Sequence, residues 1–182
     1  PVVAIRTASH AFHLRGKAAP AGHALWEGWD PDVLGGNYSN HHGSGKKTWF
    51  RIEPTAKGHP ILDGLQSATE VASGGSLYKV SPLATTTEIL VSGRTTGVDA
   101  TEPVAWTNKP VWGNRVFNTS LGHPRDFATT AFRQLLVNAI HWSLGRKLPG
   151  KLRKPVPVEE ARLPELITPD DLEVELVLRE PD

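Results

Sequence analysis

The chain has 182 residues, about one domain by length, and its 38% apolar and 7% aromatic content is enough for a core. It has no cysteine, which excludes a disulfide framework, a thiolate nucleophile and a Cys-ligated metal. The net charge of +1 conceals a basic body, with 18 Lys and Arg against 10 Asp and Glu in residues 1–154, and an acidic tail, with 2 against 9 in residues 155–182. The body's basic residues are scattered except for Arg146, Lys147, Lys151, Arg153 and Lys154. That cluster follows a predicted helix end, where cations suit the macrodipole, so no nucleic-acid partner is expected. No apolar run approaches the roughly 18 residues that a membrane-spanning helix needs.

The chain opens on a continuous apolar run, residues 1–5, read as a buried strand. A strand at the first residue is expected to continue a fold that begins earlier. Residues 6–13 form an elbow or short helix behind it. A strand running into a sharp turn is how α/β folds present a reactive side chain, and the residue at this tip is Arg6. Residues 24–34 predict a short helix interrupted near Pro31 and ending at Gly35-Gly36. Strands are expected over 48–52, 76–80, 88–92, 103–107 and 115–119, with a turn and a short apolar piece over 59–65. His59, before Pro60, is expected to cap that turn.

The strongest helical periodicity runs over 127–144, with Ala128, Ala131, Phe132, Leu135, Leu136, Ala139, Ile140 and Leu144 on one stripe. Asp126 is the expected cap, and Gly145 suits the left-handed position after the end. A stripe this wide wants a sheet to cover, and the order of elements suits a layered α/β domain. Residues 147–168 read as a proline-rich linker. Leu172, Val174, Leu176 and Leu178 alternate with Glu173 and Glu175, the pattern of a half-buried strand. Residues 169–182 are therefore expected to be the first strand of a following domain.

Several pieces together carry a family resemblance. They are Arg6-Thr7-Ala8-Ser9-His10-Ala11-Phe12, Val33-Leu34-Gly35-Gly36-Asn37-Tyr38, His59-Pro60-Ile61-Leu62, Glu102-Pro103-Val104-Ala105-Trp106, the run Arg115 to Pro124, and the helix end His141-Trp142-Ser143-Leu144-Gly145. Over residues 1–146 the chain resembles a ThuA-like (trehalose-utilisation) domain of the class I glutamine amidotransferase-like superfamily. The resemblance implies a flavodoxin-like doubly wound sheet, here lacking its first strands, with ligands beyond the C-terminal ends of the strands. It implies a role in carbohydrate metabolism. The tail from Thr168 to Leu176 is similar to the entry to a propeller-type, haem-linked dehydrogenase module of large exported bacterial proteins. A bacterial exported or periplasmic setting follows from that similarity, with the following domain as an intramolecular partner.

In the superfamily the elbow residue is a cysteine and a later motif is His-Pro-Glu. The resemblance aligns Arg6 with the cysteine and His123-Pro124-Arg125 with the motif. Amide hydrolysis by that route needs a thiolate activated by a histidine that a carboxylate orients. An arginine stays protonated and cannot be a nucleophile, so amidotransferase activity is not expected.

What remains is a set of hydrogen-bonding groups. Arg6 offers a planar fork suited to carboxylates, phosphates or sugar hydroxyls, unless it pairs with a carboxylate to hold the elbow. His10 and His123 can move protons near neutrality and are the candidate catalytic residues. Ser9, Asn37, Tyr38 and His41 are candidate ligand contacts with Arg6, and Trp26 or Trp29 is a candidate sugar-stacking platform. No cofactor is implied. His41 and His42, with His10 or His123, would be the residues of a divalent-metal site. The reading is a sugar-binding domain, with isomerisation or hydrolysis of a sugar derivative as its chemistry if catalytic. The alternatives are a non-catalytic interaction module and a metal-dependent hydrolase.

Overall fold

A computed structural model describes residues 1–13, 18–43, 46–65 and 70–152. Most of the expected linker and the whole expected tail strand lie outside the described residues.

The centre is a six-stranded sheet. Its strands are β1 (Val2–Ile5), β3 (Thr48–Ile52), β4 (Val71–Ser73), β6 (Thr87–Thr95), β7 (Glu102–Asn108) and β8 (Val116–Thr119), in the order β1-β8-β7-β6-β3-β4. Two short strands, β2 (Asn40–His41) and β5 (Tyr78–Lys79), make a separate antiparallel pair. β1 and β8 are parallel, with Val2 beside Val116 and Ile5 beside Thr119. The other pairs in the main sheet are antiparallel. The result is a mixed sheet in an α/β fold.

All seven residues of β7 are buried, as expected for a strand flanked on both edges. Its Pro103 has no N–H for the ladder. It sits opposite Ser92, where the β6 register shifts, and such an irregularity accommodates a proline inside a sheet. The strands expected over 88–92 and 103–107 are each longer than the apolar pattern indicated. β2 and β4 were not anticipated, being only two and three residues long.

The expected helix over 127–144 is two helices, α1 (Pro124–Phe127) and α2 (Thr130–Ser143). Thr129 is extended, at φ −88° and ψ 133°, and its hydroxyl accepts from Phe132 N at 3.3 Å. Thr129, not Asp126, therefore caps the long helix. Phe132, Leu135, Leu136 and Ala139 form its buried stripe, whereas Ile140 and Leu144 are exposed. Gly145 takes the left-handed position, at φ +65°.

α2 packs on one face of the sheet with Ile61, Leu90, Val104 and Phe117. On the other face Val33 and Leu34 pack with Ala4 and Val116. They belong to a single wide helical turn, Trp29–Leu34, which is all that forms of the helix expected over 24–34. Trp106, fully buried, pins that turn by donating its indole N–H to Leu34 O at 2.7 Å. His59 caps its turn as expected, its Nδ1 accepting from Ile61 N at 3.1 Å.

Candidate functional site

β1 ends at Ile5, and the chain turns at once into a tight helical turn, Arg6–His10. Arg6 has φ +52°, and among the described residues no other non-glycine has positive φ. A left-handed backbone costs an L-residue about 1–2 kcal/mol. The strand, strained turn and helix together are the geometry that lifts a side chain clear of a sheet end. Replacing Arg6 with glycine removes the strain but loosens the unfolded chain. Arg6→Gly is therefore expected to be more stable than Arg6→Ala by about 0.5–1 kcal/mol, measured as a higher urea midpoint.

The half-buried Arg6 guanidinium has no carboxylate partner among the described residues. The ion pairs there are His42 with Glu102 and Arg94 with Glu70. Arg6 is thus not the anchor of a salt bridge that holds the elbow. It sits instead against a diglycine, Gly74-Gly75, and a Cβ on Gly75 would come within 2.9 Å of Arg6 Nη1 and 3.7 Å of His123 Cβ. A Cβ on Gly74 would meet the His123 ring at 2.5 Å. Arg6 and His123 are therefore brought together across glycines whose missing side chains leave room for both.

His123 caps α1, its Nδ1 accepting from Arg125 N at 3.3 Å. In the neutral ring that leaves the hydrogen on Nε2. Asp126, buried, holds the surrounding backbone. Its Oδ2 accepts from Gly122 N and His123 N, each at 3.0 Å, and from Ser73 Oγ at 2.8 Å. Its Oδ1 accepts from Gly74 N at 3.3 Å. The Ser73 hydroxyl in turn accepts from Gly75 N at 3.1 Å. Sequence reasoning read Asp126 as a helix cap and missed this role. The signal was its place three residues after a histidine N-cap, where a capping box reaches back.

On the other side of the elbow lies a cavity of about 410 Å³, within the range of small-molecule sites. Ser9, His10, Asn37, Tyr38 and Ser39 give it polar groups, and Trp26 and Trp29 give it aromatic faces. Ser9 Oγ is 3.3 Å from His10 Nδ1. The His10 ring stacks on Tyr38, with centroids 4.6 Å apart and planes inclined by 18°. Tyr78, which sequence reasoning missed, packs 4.9 Å from Tyr38 and 6.4 Å from His10. Burial raises its phenol above the usual 10.0, the Arg6 charge pulls it down, and Tyr38 adds to the rise.

Trp29 is fixed by its Nε1 donating to Ala8 O at 2.7 Å, and Trp26, 47% exposed, packs edge-on against it. Asp30 closes the floor, accepting from Tyr38 N, while its Oδ1 is buried without a partner among the described residues. Burial raises its carboxyl above the usual 3.8, against the Tyr38 hydrogen bond. Gly35 at φ +73° turns the chain, and Gly36 must be glycine because a Cβ there would meet Asp30 Oδ1 at 2.5 Å.

The structure thus places Ser9, His10, Asn37 and Tyr38 on one cavity, and Arg6 and His123 in a neighbouring notch. His41 lines neither; its Nδ1 is buried without a partner among the described residues. His42 is engaged by Glu102, its Nε2 lying 3.0 Å from Oε1. Among the described residues no three His, Cys, Asp or Glu are grouped to hold a metal ion. Two other cavities, of about 340 and 500 Å³, lie towards α2 and around His59. Both include Gly64 and Leu65, next to residues outside the described set, and neither gathers candidate site residues.

The family model for ThuA, described as trehalose utilisation, matches residues 15–143. The chain belongs to the ThuA family. The match begins just after the Arg6 elbow. Among solved structures, a ThuA-like protein from Bacteroides uniformis matches with a TM-score of 0.54 and 20% identity, over 82% of this chain and 60% of that one. This ThuA-family chain therefore spans less than two thirds of that neighbour's length, and the likeness establishes a shared fold. No curated protein matches the chain. Among the described residues of the ThuA domain, no helix is long and apolar enough to cross a membrane.

Proposed function

We propose that this ThuA domain binds a sugar or sugar derivative in the cavity beside the β1 elbow, and that it has no glutamine amidotransferase activity. The single observation that carries the reading is the lining of that cavity. Hydroxyl and amide groups from Ser9, Asn37 and Ser39 stand beside the aromatic faces of Trp26 and Trp29. Hydroxyl-rich ligands need this mixture, because each sugar ring has polar edges and an apolar face. The family's link to trehalose utilisation supports it.

Composition and geometry support the lack of amidotransferase chemistry. There is no cysteine in the chain, and the strained elbow carries a guanidinium. Within this reading the proton-transfer group is His10. Ser9 Oγ adjoins its Nδ1, and stacking on Tyr38 fixes its ring. The chemistry such a group supports is isomerisation or hydrolysis of a sugar derivative. The parallel pairing of β1 with β8 is compatible with a flavodoxin-like doubly wound sheet, which we include in the proposal.

The test is isothermal titration calorimetry of the full chain with trehalose, glucose and their keto derivatives. Saturable heat is expected with at least one, weakened at least tenfold by Asn37→Ala or by Trp26→Ala. Absence of heat with the whole panel would reject the reading.

A further inference from the structure

The Arg6 notch is chemically distinct from the cavity beside it. Arg6, half-buried, has neither an ion pair nor a hydrogen-bonded acceptor among the described residues, so its guanidinium is available to an anion. The nearby carboxylate of Asp126 is already committed to Ser73, Gly74, Gly122 and His123. The backbone that presents Arg6 is strained, at φ +52°. Gly75, having no side chain, lets Arg6 Nη1 and His123 pack over its backbone, where a Cβ would lie 2.9 Å from Nη1. Its own N–H and C=O are pinned by Ser73 Oγ and Thr48 Oγ1, so this close approach is held by the fold. His123 has Nε2 left as a donor.

From these observations we propose that Arg6, with His123 across Gly75, forms an anion subsite, so that the ligand of this face carries a carboxylate or phosphate group. A planar guanidinium fork matches either group, and a charge-assisted bond is stronger than one to a neutral hydroxyl. The inference rests on the sugar reading only for the remainder of the ligand; the anion subsite of Arg6 and His123 stands without it.

The test compares glucose, glucuronate, glucose 6-phosphate and inorganic phosphate by calorimetry on the full chain, at low and high salt. Glucuronate or glucose 6-phosphate, or both, is expected to bind at least tenfold more tightly than glucose, and the two arms distinguish a carboxylate from a phosphate. The gain should shrink with salt. It should vanish in Arg6→Asn, a neutral residue that tolerates the left-handed backbone, with glucose binding retained. Gly75→Ala should also weaken it, because the added Cβ would come within 2.9 Å of Arg6 Nη1 and displace the guanidinium, while Ser73 Oγ at 3.5 Å and His123 Cβ at 3.7 Å stay at ordinary contact distance. Glucose binding as tightly as both anionic sugars would overturn the subsite and leave the sugar reading standing. An anionic gain that persists in Arg6→Asn would likewise overturn the subsite alone. Phosphate binding that Arg6→Asn abolishes, with no saccharide bound, would support the subsite and overturn the sugar reading. No binding of any of the four would overturn both.

Discussion

Asp126→Ala is expected to lower the unfolding free energy by about 3–4 kcal/mol, because it strands four donors that one buried carboxylate now satisfies. The part-buried backbone N–H groups of Gly74, Gly122 and His123 would lose their acceptor. Asp126→Asn keeps an acceptor and the shape of the side chain, so it should cost less than the alanine change. The chain reversals that Asp126 ties together are the ones that present Arg6 and His123. The variants are therefore expected to shift the His123 ring resonances even under conditions where they remain folded. Urea unfolding gives the energy, and proton NMR of the histidine gives the positioning. An alanine variant as stable as the parent would mean that these hydrogen bonds contribute nothing net.

Glu102→Gln should cost about 1.5–3 kcal/mol at neutral pH. The carboxylate, buried at the start of β7, faces His42 Nε2 with one oxygen and accepts from Val80 N at 3.2 Å and Ser81 N at 3.1 Å with the other. Burial alone would raise its pKa above the ordinary 4.5, but the hydrogen bonds from His42, Ser81 and Val80 outweigh burial and lower it. A folded-state pKa below the unfolded one means that the unfolded chain takes up the proton first on acidification. The stabilisation is then complete above pH 4.5 and lost as pH falls through the lower folded value. The glutamine variant should be less stable at pH 7 and should lose less stability on further acidification. Denaturant melts across pH check both, and parallel pH profiles for the two proteins would contradict the assignment.

β1, β3, β7 and β8 could be read from their apolar runs, because a strand buried on both faces or flanked by turn residues leaves a continuous signature. α2 could also be read, from Phe132, Leu135, Leu136 and Ala139. Its start could not, because Thr129 and Asp126 are both good cap residues and only tertiary contacts decide between them. Asp126 is drawn away from α2 by Ser73 and Gly74, more than fifty residues earlier in the chain. The elbow at Arg6 was legible as a turn after an apolar strand. Its lack of a counter-ion among the described residues was not, since ion pairing depends on residues distant in sequence. The strand over 76–80 that holds Tyr78 was anticipated, but the place of Tyr78 beside Tyr38 and His10 was not, because that strand's partner, β2, has no periodicity to betray it. His41 and His42 looked equivalent in the sequence. Glu102, sixty residues on from His42, is what sets that histidine apart.

Backbone amide chemical-shift mapping during titration of the full chain with trehalose or glucose tests the central claim most directly. Saturable shifts centred on residues 9–10 and 37–39, with the indole signals of Trp26 and Trp29 moving in step, are the result expected of a sugar seated beside the β1 elbow. Shifts centred on another face of the sheet, with residues 9–10 and 37–39 unmoved at saturation, would contradict it.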